Sequence, residues 1–256
     1  MLIDTHCHLY FKELKKDIPG IIKRAKKMGV TRFICVGTNL EDSSECLKLS
    51  ENYDNIYSTV GIHPHDAKNA PKDFVDRIIK LKDHDRVVAI GEMGLDYYRN
   101  ISSPEKQKQI FRSQIAIAKA SKKPIILHNR NADKDVINIL SDFPDVIGVA
   151  HCFSSNLETA KALLNLGYYI SFSGNLTFKN SLLPSVAEEL PLERILVETD
   201  SPFLSPVPFR GRLNEPGRTR LVAEKLGSIH KVPFEQVAKI TTENAMRLFN
   251  LSNQIK

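Results

Sequence analysis

Short apolar, β-branched runs alternate with amphipathic stretches along the whole chain. The runs are LIDT (2–5), FICVG (33–37), YSTVGI (57–62), VVAIGE (87–92), IILH (125–128), IGVAH (147–151), YYISFS (168–173) and ILVETD (195–200). Their near-continuous hydrophobicity is that of strands in a parallel sheet buried on both faces. Between them lie helical patterns, for example PEKQKQIFRSQIAIAKAS (104–121), with proline in the first turn and Ile110, Phe111, Ile115 and Ala118 at helical spacing. Strand–helix units repeated in this way predict an α/β fold, a (β/α)8 TIM barrel. No linker or low-complexity run interrupts the pattern, so a single domain over 1–256 is expected. The longest irregular stretch, SPFLSPVPFRGRLNEP (201–216), directly follows the eighth run, and a loop there lies over the barrel mouth. Two helices, about 217–229 and 234–249, complete the pattern.

The chemistry lies at the ends of these runs. In MLIDTHCHL, alternation along a strand points His6 and His8 to one side and Cys7 to the other. Four later strand-like segments also end in metal-ligand residues: Glu92, His128, His151 and Asp200. In barrels of this class chemistry sits at the C-terminal strand ends, so all six converge on one mouth. Taken singly, each has an ordinary explanation as a capped, paired or backbone-bonded polar group. Taken together, six such groups are costly to desolvate without a cation among them.

The motifs MLIDTHCHL, VGIHPH, IGEMGLDYY, ILHNR, AHCF, ETDSPFL and RGRLNEP, in this order and spacing over nearly the whole chain, resemble the TatD family of metal-dependent deoxyribonucleases, of the amidohydrolase superfamily. The resemblance implies two divalent metal ions, one held by His6, His8, Glu92 and Asp200 and a second by Glu92, His128 and His151, with Glu92 bridging. It implies cleavage of DNA phosphodiester bonds by a metal-activated water, with Asp200 and Glu92 as the catalytic carboxylates. A 3′-to-5′ action on single strands is expected, because a barrel mouth under a long loop suits a strand end. The family often has HSRDA where this chain has HNRNA (128–132), which bears on how the loop around Arg130 is braced.

Other residues take expected parts around that centre. Glu198 points the same way as Asp200 but one layer deeper, and is expected to support the ligands from behind. His63 and Arg130 are candidates to bind phosphate, Arg130 by a bidentate fork; His65 is a weaker candidate and reads first as a turn histidine beside Pro64. Tyr97, Tyr98, Phe153, Phe203 and Phe209 flank the motifs and are candidates to stack on bases. Arg210, Arg212 and Asn214 are candidates to follow a strand's backbone, and Glu215 to brace the loop. The ligand chemistry of imidazole favours zinc, manganese or cobalt, whereas the resemblance points to magnesium.

Composition narrows the alternatives. A hydrophobic fraction of 42% and a charged fraction of 26% are those of a folded globular chain. No apolar run is long enough to span a bilayer, which excludes a membrane partner of that kind and makes a cytoplasmic monomer the default expectation. Cys7, Cys35, Cys46 and Cys152 lack CxxC spacing and read as reduced thiols. The net charge of +6 suits a polyanion such as DNA without requiring one. Two rival readings remain: a small-molecule hydrolase of the same superfamily, which commonly places a carboxylated lysine where Glu92 stands, and a non-catalytic nucleic-acid-binding protein braced by metal.

Overall fold

A computed structural model describes residues 1–251; residues 252–256 of the expected domain lie outside the described residues. Eight strands pair in sequence order, all parallel: β1 (Leu2–Cys7), β2 (Val30–Val36), β3 (Ile56–Val60), β4 (Val87–Asp96), β5 (Ile125–Arg130), β6 (Gly148–Ala150), β7 (Tyr169–Phe172) and β8 (Ile195–Val197). Helices α1 (Lys12–Lys15), α2 (Ile18–Lys27), α3 (Leu40–Asn52), α4 (Phe74–Lys82), α5 (Pro104–Ser121), α6 (Asp133–Ser141), α7 (Leu157–Asn165), α8 (Leu183–Glu188), α9 (Thr219–His230) and α10 (Phe234–Phe249) alternate with them or follow them. The (β/α)8 barrel expected from the run pattern is the fold observed.

Parallel strands need their faces covered, and two apolar layers do this. Ile3, Ile34, Ala89, Ile126, Val149 and Leu196, from six different strands, form one cluster with Leu248 and Phe249 of α10. Residues from all around the sheet can meet only inside it, so α10 plugs the lower end of the barrel. The second and larger layer lies between the strands and the outer helices, for example Ile110, Phe111 and Ile115 of α5.

The sheet closes on itself at the seam between β1 and the segment after β8. Thr5 Oγ1 donates to Val197 O at 3.1 Å, the Asp200 amide to His6 O at 2.9 Å, and the His8 amide to Ser201 O at 2.8 Å. The buried Asp4 carboxylate accepts from both the amide (2.8 Å) and the hydroxyl (2.5 Å) of Thr199. Because Asp4 takes these bonds, β8 ends at Val197 rather than running on to residue 200. Asp200 then turns into the left-handed region (φ +55°), which Asp tolerates better than most residues.

β4 departs from expectation in the other direction, continuing past Glu92 to Asp96. Gly91 and Gly94 carry φ of +142° and +146°, and a register shift against β5 falls between Ile90 and Met93. A Cβ on Gly94 would lie 1.9 Å from the carbonyl oxygen of His128. Glycine here lets β4 pass close to β5 and aims both Glu92 and Asp96 at His128. Gly94→Ala is therefore expected to lower stability by about 3 kcal/mol, the joint cost of overpacking and a forbidden φ, as measured by urea unfolding. A change within about 0.5 kcal/mol, the range of ordinary surface substitutions, would contradict this packing.

Candidate metal centre

Each candidate ligand sits where a strand delivers it to the same end of the barrel. His6 is the penultimate residue of β1 with His8 just beyond the strand, Glu92 lies in β4, His128 in β5, His151 directly after β6, and Asp200 in the turn after β8. His63 follows β3 at the start of a 3₁₀ turn spanning 64–69. The Glu92 carboxylate, 3% exposed, is the meeting point. Its Oε2 lies 3.4 Å from His6 Nε2, while Oε1 lies 2.8 Å from His151 Nε2, 2.9 Å from His128 Nδ1 and 3.3 Å from His63 Nε2. On the Oε2 side, His8 Nε2 is 3.2 Å from His6 Nε2 and 3.3 Å from Asp200 Oδ1. One carboxylate is thus shared between two groups of nitrogen donors.

The outer edge of each ring decides what its inner edge can offer. His8 Nδ1 faces the Val36 carbonyl at 2.9 Å, which can only accept, so that nitrogen carries the hydrogen. His128 Nε2 faces Asp96 Oδ2 at 3.2 Å, and His151 Nδ1 lies 3.4 Å from Glu198 Oε1. In the neutral rings the inner nitrogens of His8 and His128 therefore present lone pairs to carboxylate oxygens. Lone pairs facing lone pairs call for a cation between them. His63 is built the other way. Its Nδ1 accepts the His65 amide at 3.1 Å, so its inner Nε2 carries the hydrogen and offers a donor rather than a lone pair.

The charge states follow the same packing. Burial disfavours an ionised Glu92, yet the charges of His151 and His63 and the hydrogen bonds from His128 and His151 outweigh it and hold the carboxyl well below its ordinary range. Burial also opposes protons on His8, His128 and His151. Even so, Asp200 raises His8 to about 9, Asp96 and Glu92 raise His128, and Glu92 and Glu198 raise His151 well above its usual value. Burial lowers His63 to about 4, and burial with the charge of His151 lowers His6. The carboxylates thus favour positive charge on these three rings, at the places where cations can bind.

Asp96 is the member of this centre that sequence reasoning missed. Asp96 is fully buried; its Oδ2 meets both His65 Nε2 (2.8 Å) and His128 Nε2 (3.2 Å), and its Oδ1 takes the Arg99 amide at 2.8 Å. The signal was present in IGEMGLDYY, but a strand judged to stop at Glu92 leaves Asp96 in a loop. His65 is accordingly tied to the centre rather than being only a turn histidine. Glu198 lies behind His151, accepting from the Cys152 amide (2.7 Å) and the Ser171 hydroxyl (2.6 Å).

Around the mouth, Arg130 stacks on Tyr98 with its guanidinium 4.0 Å from the ring centroid, and the two arginines Arg99 and Arg130 line a cavity of about 420 Å³ with the histidines. Asn129 donates to Asp133 at 2.5 Å, and Asp133 also accepts from Ser155, which braces the loop around Arg130. Of the flanking aromatics only Tyr98 (60% exposed) and Phe203 (46%) are open to solvent. Tyr97 donates its hydroxyl to Asp135, Phe153 is buried beside Phe172, and Phe209 lies under Arg218. Asn214 is fully buried and donates to the carbonyls of Thr199 and Phe203, so it holds the long loop down instead of facing a strand. Glu215 pairs through both oxygens with Arg24 of α2. All four cysteines are free, with Cys7 packed away from its histidine neighbours against the Ile34 carbonyl. Among the described residues no helix is long and apolar enough to cross a membrane.

Comparison with known proteins agrees with this arrangement. The family model for TatD related DNase matches residues 3–250. An uncharacterized metal-dependent hydrolase of Bacillus subtilis, YabD, is 44% identical over 98% of this chain and 100% of its own length. The 3′-5′ ssDNA/RNA exonuclease TatD of Pectobacterium parmentieri is 33% identical over 98% of this chain and 100% of its own. The crystal structure of YjjV, a TatD homologue from Escherichia coli, superposes with a TM-score of 0.93 at 31% identity, covering 98% of both chains. The chain belongs to the TatD-related DNase family of metal-dependent hydrolases.

Proposed function

We propose that this protein hydrolyses phosphodiester bonds in nucleic acid, acting from the 3′ end of single-stranded DNA. The observation that carries the reading is the buried Glu92 carboxylate divided between two groups of imidazole nitrogens, with Asp200 beside the first group. This donor set fits two divalent cations, magnesium, manganese or zinc. His6, His8, Asp200 and Glu92 would hold one, and Glu92, His128 and His151 the other. Bound there, such ions supply Lewis acidity to an attacking water and to a phosphoryl oxygen.

The chain's own groups do the rest. Asp200 is kept ionised by the hydrogen bond from His8 and the nearby charges of His6 and His8, which outweigh its burial, so it can accept the proton of the attacking water. His63 offers an N–H to a phosphate oxygen without adding charge. Arg130, held flat on Tyr98, presents its fork to a neighbouring phosphate with less rotamer freedom to lose. Asp96 fixes the ring of His128 and keeps the lone pair of Nδ1 turned inward. Phe203 and Tyr98, exposed at the rim, are positioned to stack on bases. No lysine lines this cavity among the described residues, unlike the carboxylated-lysine bridge of the small-molecule hydrolases considered above. The named activity of the Pectobacterium relative supports the choice of substrate.

Metal-stripped protein re-supplied with magnesium, manganese or zinc is expected to release mononucleotides from a 5′-labelled single-stranded oligonucleotide. Glu92→Gln should remain folded by circular dichroism yet lose more than about a hundredfold in rate, beyond the loss of an outer hydrogen-bond partner. A Glu92→Gln protein that unfolds would favour a purely bracing role for the metals, and wild-type protein inert with every ion would break the nuclease reading.

Cation binding should also release protons. Rings that carry protons must lose them to bind metal, so affinity is expected to rise as pH increases toward about 9, the value to which His8 is raised. Calorimetry in buffers of different ionisation enthalpy measures the release directly. Affinity independent of pH would contradict these charge states.

A further inference from the structure

A second cavity, of about 780 Å³, lies on the same end of the barrel beside the metal centre. Its walls are the β6–α7 loop from Ser154 to Leu157, the segment after β7 from Asn175 to Ser181, the start of α8, and Arg210 of the loop after β8. Ser154 is three residues beyond His151, so the two cavities follow one another along the mouth. Their charge differs. The metal cavity mixes Asp66, Glu92, Asp96 and Asp200 with Arg99, Arg130 and the histidines, whereas the second has no acidic lining residue and two cations, Lys179 and Arg210. Both cations are exposed, and neither makes an ion pair with an acid among the described residues.

The walls are built rather than loosely apposed. The Val207 amide donates to Thr177 Oγ1 at 2.9 Å, pinning the long loop to the segment after β7. At Gly174 a Cβ would lie 1.9 Å from the Leu204 carbonyl oxygen, so the same two segments are in close backbone contact. Arg210 is laid flat on Phe178, 3.8 Å from the ring centroid. Leu182, 82% exposed, stands on the rim with no core contact to explain it.

We infer that this cavity is a subsite for single-stranded nucleic acid, taking the nucleotides adjoining the one whose phosphate is cleaved. The inference rests on the nuclease reading above and extends it. Lys179 and Arg210 answer phosphates, the stacked pair of Arg210 and Phe178 gives a flat surface for a base, and Leu182 covers an apolar edge. Ser154, Ser155, Asn175 and Asn180 supply uncharged donors and acceptors for sugars and base edges, which suits a chain of nucleotides better than a single small anion. A strand drawn into the mouth by cations at the metal centre thus continues onto a surface free of opposing charge.

The test measures anisotropy of a fluorescein-labelled phosphorothioate oligothymidylate, which resists cleavage, with magnesium-loaded protein over a range of salt. Lys179→Glu/Arg210→Glu is expected to weaken binding at least about tenfold and to lower the slope of log Kd against log salt by about 1.4, two single-strand phosphate contacts. Lys23→Glu/Lys26→Glu, on the outer helix α2, makes the same change in net charge and should leave the slope unchanged. Equal effects of both pairs, or none from the first, would overturn the subsite. Hydrolysis of thymidine 5′-p-nitrophenyl phosphate by the wild type is scored separately. If that ester is cleaved while the first pair binds like wild type, only the subsite falls; if neither that ester nor an unmodified oligothymidylate is cleaved, the nuclease reading falls.

Discussion

The site is organised around one buried carboxylate. Glu92 is almost wholly removed from water, and an ionised carboxylate in that position survives only if the surrounding groups repay its lost hydration. Four imidazoles lie within 3.4 Å of its two oxygens, and each comes from a different part of the chain. Such convergence needs a scaffold that brings the ends of β1, β3, β4, β5 and β6 to one place, and a closed parallel barrel does this. The seam between β1 and the segment after β8 completes it, because the backbone bond from Asp200 to His6 O also sets Asp200 beside His8. The contacts that close the barrel are therefore also contacts that position the centre.

Much of this arrangement was legible in the chain. Runs of β-branched residues ending in His, Glu or Asp carry both the strand and its ligand, and the rule that parallel strands present their C-terminal ends together needs no coordinates. What escaped was governed by tertiary pairing. Gly91 and Gly94 look like the end of a strand, yet their backbone freedom is what lets β4 continue to Asp96. The reverse holds at β8, where ILVETD reads as continuous and the Asp4 carboxylate, far away in sequence, ends the ladder at Val197. Asn214 reads as a backbone contact because it sits near Arg210 and Arg212, but its amide is taken by two carbonyls and buried. A histidine's tautomer is still less visible in sequence, since it is set by the partner on the far side of the ring.

That partner also separates two kinds of histidine in one cluster. His8 and His128 each turn a hydrogen outward to an acceptor, so each faces inward with a lone pair when neutral. His63 turns its acceptor outward and faces inward with a hydrogen. The same side chain thus suits holding a cation in one case and holding a phosphate in the other. Above them the long loop is kept in place by Asn214, by Arg218 on Ser205 and Leu213, and by Glu215 on Arg24. The roof is pre-formed, leaving the exposed rings of Tyr98 and Phe203 at the entrance.

The central claim is that Glu92 divides its oxygens between two cations. Anomalous scattering from a crystal soaked in manganese, recorded at the manganese edge, tests it most directly. Two peaks are predicted on opposite sides of the Glu92 carboxylate, one among His6, His8 and Asp200 and the other between His128 and His151. A single peak, or two peaks neither of which touches Glu92, would contradict it.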